Sequence, residues 1–145
     1  SFHRDVFIDL VRSCRHFITT PGMTATLEAF ALKAPTSFLL PTNLSQWAIV
    51  NNLADRNCAS KRLSWDRYIE NVDLVTCLNE KDAINKLSEY SSQLYKNNIL
   101  LRGVIKDFKV LLDDIPNIEN QSKFISEMGI NGSAIIAKEL TEAWM

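Results

Sequence analysis

The sequence predicts an all-α protein, and three observations carry that prediction. Val, Ile and Leu recur at spacings of three and four residues, the period of a helix that buries one face. Pro, Gly, Asn and Ser punctuate these apolar runs at intervals that suit short helices. Strand signals are almost absent, since the one Asn-Gly pair, Asn131-Gly132, falls between helical patterns rather than between alternating runs. The expectation is a compact bundle of about seven or eight short helices. It forms a single helical domain over residues 1–145, with a possible subdivision into 1–79 and 80–145.

The elements follow in chain order. Residues 2–17 place Phe2, Val6, Leu10, Val11, Cys14 and Phe17 along one stripe and Arg4, Arg12 and Arg15 elsewhere. Thr19-Thr20-Pro21-Gly22 ends that helix. A second helix over 24–33 buries Leu27, Phe30 and Ala31, and the apolar loop Ser37-Phe38-Leu39-Leu40, bracketed by Pro35 and Pro41, tucks into the core. Asn43 or Ser45 caps a third helix with Trp47, Val50 and Leu53 inward. After a break at 57–61, Ser64 caps a helix through Trp65, Tyr68, Ile69, Val72 and Leu74 that stops near Asn79.

The second half is more regular. Residues 80–97 carry Ile84, Leu87, Leu94 and Tyr95, and residues 99–113 carry Leu101, Val104, Ile105, Phe108, Leu111 and Leu112. Pro116 breaks the chain, a short helix runs over 119–128 to Gly129, and Gly132-Ser133 opens a last helix toward Trp144.

Composition narrows the function classes. With 145 residues and 46% apolar letters the chain is long enough for one good core without staples. Three widely spaced cysteines, Cys14, Cys58 and Cys77, suit a reducing compartment better than a disulfide framework, so a cytoplasmic location is expected. No apolar run approaches a membrane span or the core of a signal peptide, and the Asn-x-Ser triplets at Asn43, Asn120 and Asn131 read as caps and loops. Net charge is −1, unevenly placed: residues 1–62 hold seven Lys/Arg against four Asp/Glu, and residues 63–145 hold nine against thirteen. The halves can attract each other or a neighbouring copy, and neither has the basic density of a nucleic-acid face.

Reactive groups are few. His3-Arg4-Asp5 spells a kinase triplet with no glycine-rich loop or metal-binding Asn behind it. His3 and His16 lie too far apart to share a metal, no Cys or carboxylate spacing completes a site, and no metal or cofactor is expected. Arg12 and His16 evoke an RNase-type pair, but the spacing is short for that motif and a solvated helical pair is the commoner outcome. Cys14 and His16 point to different faces of a helix, and Asp113-Asp114 lacks a calcium loop. No enzyme is expected. The strongest binding feature is the segment 61–68, where Lys61, Arg62 and Arg67 interleave with Trp65 and Tyr68. It offers a grip for a phosphate or base, although Trp65, Tyr68 and Ile69 share one inward face. Trp144, near the end of the sequence, is a candidate partner contact.

Two stretches echo each other. Val6-Phe7-x-Asp9-Leu10, Phe17, Leu27, Phe30 and Leu32 are matched by Val104-Ile105-x-Asp107-Phe108, Ile115, Ile125, Met128 and Ile130. Asn43-x-Ser45 then leads to Ile49, Val50 and Leu53 as Asn131-x-Ser133 leads to Ile136, Ala137 and Leu140. The order Asp9-Leu10-Val11, Phe17, Leu27 to Leu32, and Asn43-Leu44-Ser45-Gln46-Trp47-Ala48-Ile49-Val50 resembles the helical effector-associated domains of bacterial conflict and signalling proteins. That resemblance implies a death-fold-like adaptor, with a partial second copy, that recruits an enzyme by like-with-like docking and has no catalytic residue of its own. The helices over 80–113 are longer than that compact unit.

The expectation is therefore a non-catalytic interaction or adaptor module that meets a protein partner or another copy of itself, with no membrane contact. Lys61, Arg62, Arg67 and Trp144 are its candidate interface. The alternative is a small nucleic-acid-binding regulator built on residues 61–68.

Overall fold

The computed structural model describes residues 3–128, which are mostly helical. Helix α1, Arg4–Ser13, ends earlier than the periodicity predicts, because Cys14 turns to an extended conformation at φ −76° and ψ 148°. Phe17 is thereby carried back onto α1, where its ring meets Phe7 edge-on at 6.0 Å. The run Phe17-Ile18-Thr19 is aromatic and β-branched, a composition that favours the extended chain. It forms strand β1, Phe17–Thr19.

Helix α2, Met23–Ala31, is the crossover to strand β2, Thr36–Phe38, which pairs in parallel with β1 in the register Phe17–Thr36, Ile18–Ser37 and Thr19–Phe38. The apolar loop expected around Phe38 is thus a strand. Its burial follows from that pairing: Thr36, Ser37 and Phe38 are fully buried, with one edge closed by β1. The other edge bonds to residues far along the chain. The Phe38 N–H donates to the Lys61 carbonyl at 3.1 Å and the Leu63 N–H donates to the Phe38 carbonyl at 2.9 Å. Where that third segment stops, the Gln121 side chain takes over. Its Oε1 accepts from the Thr36 N–H at 3.3 Å, and its Nε2 donates to the carbonyls of Thr36 and Cys58 at 2.9 and 3.1 Å. A buried strand edge must be paired, and one amide side chain supplies both a donor and an acceptor.

Helix α3, Leu44–Asp55, starts at Asn43, whose Oδ1 accepts the Gln46 N–H at 2.8 Å, as the capping residues predict. The helix expected over 64–79 is instead a single 3-10 turn, Trp65–Arg67, followed by irregular chain. Two causes are visible. Asn71 sits at φ 56°, which a right-handed helix cannot contain, and Asp73 folds into a turn that accepts the Thr76 N–H at 3.2 Å and the Thr76 hydroxyl at 2.6 Å. Those two bonds hold the Asp73 carboxyl below the usual carboxylate range.

Helices α4, Glu80–Lys96, and α5, Asn98–Asp113, are joined by Asn97 alone. Asparagines start both: Asn79 Oδ1 accepts the Asp82 N–H at 3.0 Å, and Asn97 Oδ1 accepts the Ile99 and Leu100 N–H groups at 3.1 and 3.2 Å. On α4 the inward positions are Ala83, Leu87, Tyr90 and Leu94, so Ile84 and Tyr95, placed on the apolar pattern by sequence, face solvent. Helix α6, Glu119–Met128, returns to α2. The described residues therefore hold six α-helices and two short strands, and the expected last helix with Trp144 lies outside them.

Two larger cores result. Leu27, Phe30, Phe38, Val50, Leu53 and Phe124 build one, with Phe30 edge-on to Phe38 at 6.5 Å and to Phe124 at 6.1 Å. Because Phe124 belongs to α6, residues on both sides of position 79 share this core. Trp65, Tyr68, Leu74, Leu87, Tyr90 and Leu94 build the other, closed by Leu100 and Val104 of α5. A smaller cluster seats Val11 of α1 on Ala29 and Ala34. The segment between α5 and α6 holds no strand, unlike the one between α1 and α2, so the echoed sequences differ there in backbone form. No helix among the described residues is long and apolar enough to cross a membrane.

Candidate interaction surface

Residues 61–63 run beside β2 as an extended strip, and the chain then coils into the 3-10 turn. The aromatic residues of the segment 61–68 face inward: Trp65 and Tyr68 are buried, and the indole N–H of Trp65 donates to the Pro41 carbonyl at 2.9 Å. Its basic residues are largely engaged. Lys61 pairs with Asp114 just beyond α5, Arg67 lies 3.7 Å from Asp107 of α5, and Arg62 Nη1 donates to the Ala59 carbonyl at 2.7 Å. The Tyr68 hydroxyl donates to Asp107 at 2.6 Å. Burial, and then this carboxylate, push its pKa well above the usual tyrosine value.

One ion pair among the described residues, Lys61–Asp114, joins the positive surplus of residues 1–62 to the negative surplus of residues 63–145, whereas Arg67 and Asp107 both belong to the second part. A hollow of about 220 Å³ remains among Lys61, Arg62, Arg67, Asp107 and Asp114. A second, of about 230 Å³, lies on the Trp47 and Trp65 side of Arg62.

Arg12 and His16 have separate partners. Arg12 is exposed and lies 3.8 Å from Asp9, while His16 sits beyond the end of α1 with Nε2 at 2.7 Å from the Ser37 hydroxyl. The helical pairing expected of them is absent because α1 stops at Ser13. Ser37 is fully buried, so the His16–Ser37 contact fixes β2 against the end of α1 and presents no reachable nucleophile. Cys58 is buried, and burial raises its thiol pKa, which keeps it a poor nucleophile.

A second surface lies on α5 and was missed by sequence reasoning. One face of the helix packs inward through Leu100, Val104, Asp107 and Leu111. Beside it runs another stripe, Leu101, Ile105, Phe108 and Leu112, at spacings of four, three and four residues, with Ile115 just beyond the end of the helix, and among the described residues none of these five joins a core cluster. Ile105, Leu112 and Ile115 are 47%, 46% and 46% exposed. Arg102, Lys106 and Lys109 follow the stripe along its outer side, and with Ile105, Val110 and Asp113 they line a shallow hollow of about 410 Å³. The signal that could have revealed this face is doubling: Leu100-Leu101, Val104-Ile105 and Leu111-Leu112 set two apolar rows on one helix, and a single core accepts only one. No protein-family model, curated protein or solved structure matches the chain.

Proposed function

We propose that the protein is a non-catalytic interaction module of the adaptor type, which docks a partner through helical surfaces and works in the cytoplasm. The observation that carries this reading is the second apolar row of α5, which joins no core cluster among the described residues and is flanked by cations. A large apolar side chain left half-exposed costs about half its burial energy, roughly 1 kcal/mol per residue, and several in one line mark a contact surface. The resemblance to effector-associated adaptor domains points the same way, as do three free cysteines for a reducing compartment. Lys61, Arg62 and Arg67 form a second, polar rim to such an interface. The nucleic-acid reading relies on the same three residues and is weaker, since two of them already face carboxylates.

Selection from a displayed library of random amphipathic helices tests the proposal, with Ile105→Gln plus Leu112→Gln as the counter-target. Helices retained by the native chain and lost by the double variant are expected. A library that yields no such helix sinks the reading. Binding of an RNA or DNA oligonucleotide, lost on Arg62→Ala and Arg67→Ala, would put the alternative first.

A further inference from the structure

We propose that the outer face of α5 receives one kind of partner, an acidic amphipathic helix from another protein. The inference rests on the docking reading above and names the occupant of that face.

Three features of α5 select it. The four-three-four spacing of Leu101, Ile105, Phe108 and Leu112 along α5 is that of a helix seam, which accepts the apolar edge of a second helix and does not match a strand. Eleven residues separate Leu101 from Leu112, about 16 Å of helix, enough for one and a half heptads of contact. Arg102, Lys106 and Lys109 each stand one position after a seam residue, so three cations border the seam on the same side, and all three are exposed. The opposite border is occupied, because Val104 and Leu111 pack into the protein's own interior.

That one-sided border argues against a second copy. Two α5 helices docked antiparallel would set cation row against cation row, and a parallel pair would need the border that Val104 and Leu111 already fill. A partner carrying Asp or Glu beside its own apolar seam neutralises the row instead. Asp113 continues the row with reversed charge, so the partner helix that fits best carries a Lys or Arg opposite it.

Two synthetic helices of about three heptads supply the probes, both with leucine along the seam, one with glutamate and the other with lysine on the flanks. Fluorescence anisotropy with the full chain, at about 50 mM and then about 500 mM salt, reads their affinities. The glutamate peptide is expected to bind roughly tenfold tighter at low salt, with the gap narrowing at high salt. Lys106→Glu with Lys109→Glu, both on the exposed surface, should invert the preference.

Equal affinities, or a gap unchanged in that variant, would overturn the proposal. If library-selected helices still need Ile105 and Leu112 but show no acidic bias, the docking reading stands and the acidic partner falls. Salt-sensitive self-association abolished by the same charge reversal would assign the face to a second copy. Sedimentation with phosphatidylcholine–phosphatidylserine vesicles, lost in that variant, would assign it to a membrane surface; either result overturns the acidic helix.

Discussion

Strand β2 sits with its three residues fully buried between edges supplied by β1, by residues 61–63 and by Gln121, a residue 85 positions away from Thr36. The α4–α5 hairpin is built the other way. Its backbone bonds close within each helix, its two starts are capped by asparagines at most three residues off, and one residue joins the pair. The first region depends on contacts that exist only once the chain has folded around it. The second owes its form to local pattern and caps, and one face of α5 joins no core cluster among the described residues.

Phe38→Ala should have the largest effect. Phe38 is fully buried between Phe30 and the strip at 61–63, and its truncation should lower the unfolding free energy by about 3–5 kcal/mol in urea denaturation. A loss as small as that of a surface residue would show that β2 is not the keystone of the first core.

Gln121→Ala comes next. It strands the N–H and carbonyl of Thr36 and the Cys58 carbonyl inside the protein, and a loss of about 3 kcal/mol is expected, since each unpaired buried group costs roughly 1–3 kcal/mol. Amide exchange at Thr36 should quicken in this variant while α4 amides keep their rates; acceleration across both regions would erase the distinction drawn between them.

In the hairpin the expected effects are smaller. Asn97→Ala removes the one cap between α4 and α5 and should cost about 1 kcal/mol, with α5 amides exchanging faster and β2 amides unchanged.

The joint between the two regions is visible in pH. Burial raises the pKa of Tyr68 above its usual 10.0 and that of Cys58 above its usual 9.0, so both groups are protonated in the folded chain where the unfolded chain has lost the proton. Their contribution is complete below those usual values and is lost as pH climbs past them. Stability should therefore fall from about pH 9 upward, and less steeply in Tyr68→Phe. An alkaline limb identical in the two proteins would remove Tyr68–Asp107 as the strut between the 3-10 turn and α5.

The same contrast explains what was legible in the sequence. Helices α3 to α6 follow from periodicity and caps, because Asn43 and the apolar spacing carry their information within a few residues. Strands β1 and β2 were not legible: three residues are too few to show alternation, and the partners that make them strands lie across the α2 crossover and in α6. The stretch 64–79 misled for a related reason. Trp65, Tyr68 and Ile69 have helical spacing and are buried as that spacing implies, yet Asn71 and the Asp73 turn end the helix after one turn. Lys61, Arg62 and Arg67 line one hollow; the partner of Lys61, Asp114, was readable only as a charge imbalance between the halves, and that of Arg67, Asp107, lies in the same half and left no such signal. The spare row of α5 was present as doubled apolar letters, but which letter of each pair faces inward is decided by Tyr68, Trp65 and α4.

Urea denaturation of Ile105→Gln beside Leu111→Ala tests most directly the claim that α5 has one face for the fold and another for a partner. A loss of about 1 kcal/mol or less is expected for Ile105→Gln, which is half-exposed, against about 2–5 kcal/mol for Leu111→Ala, which is buried. Equal losses would mean that the outer row belongs to the core of this protein, and the docking surface would not exist.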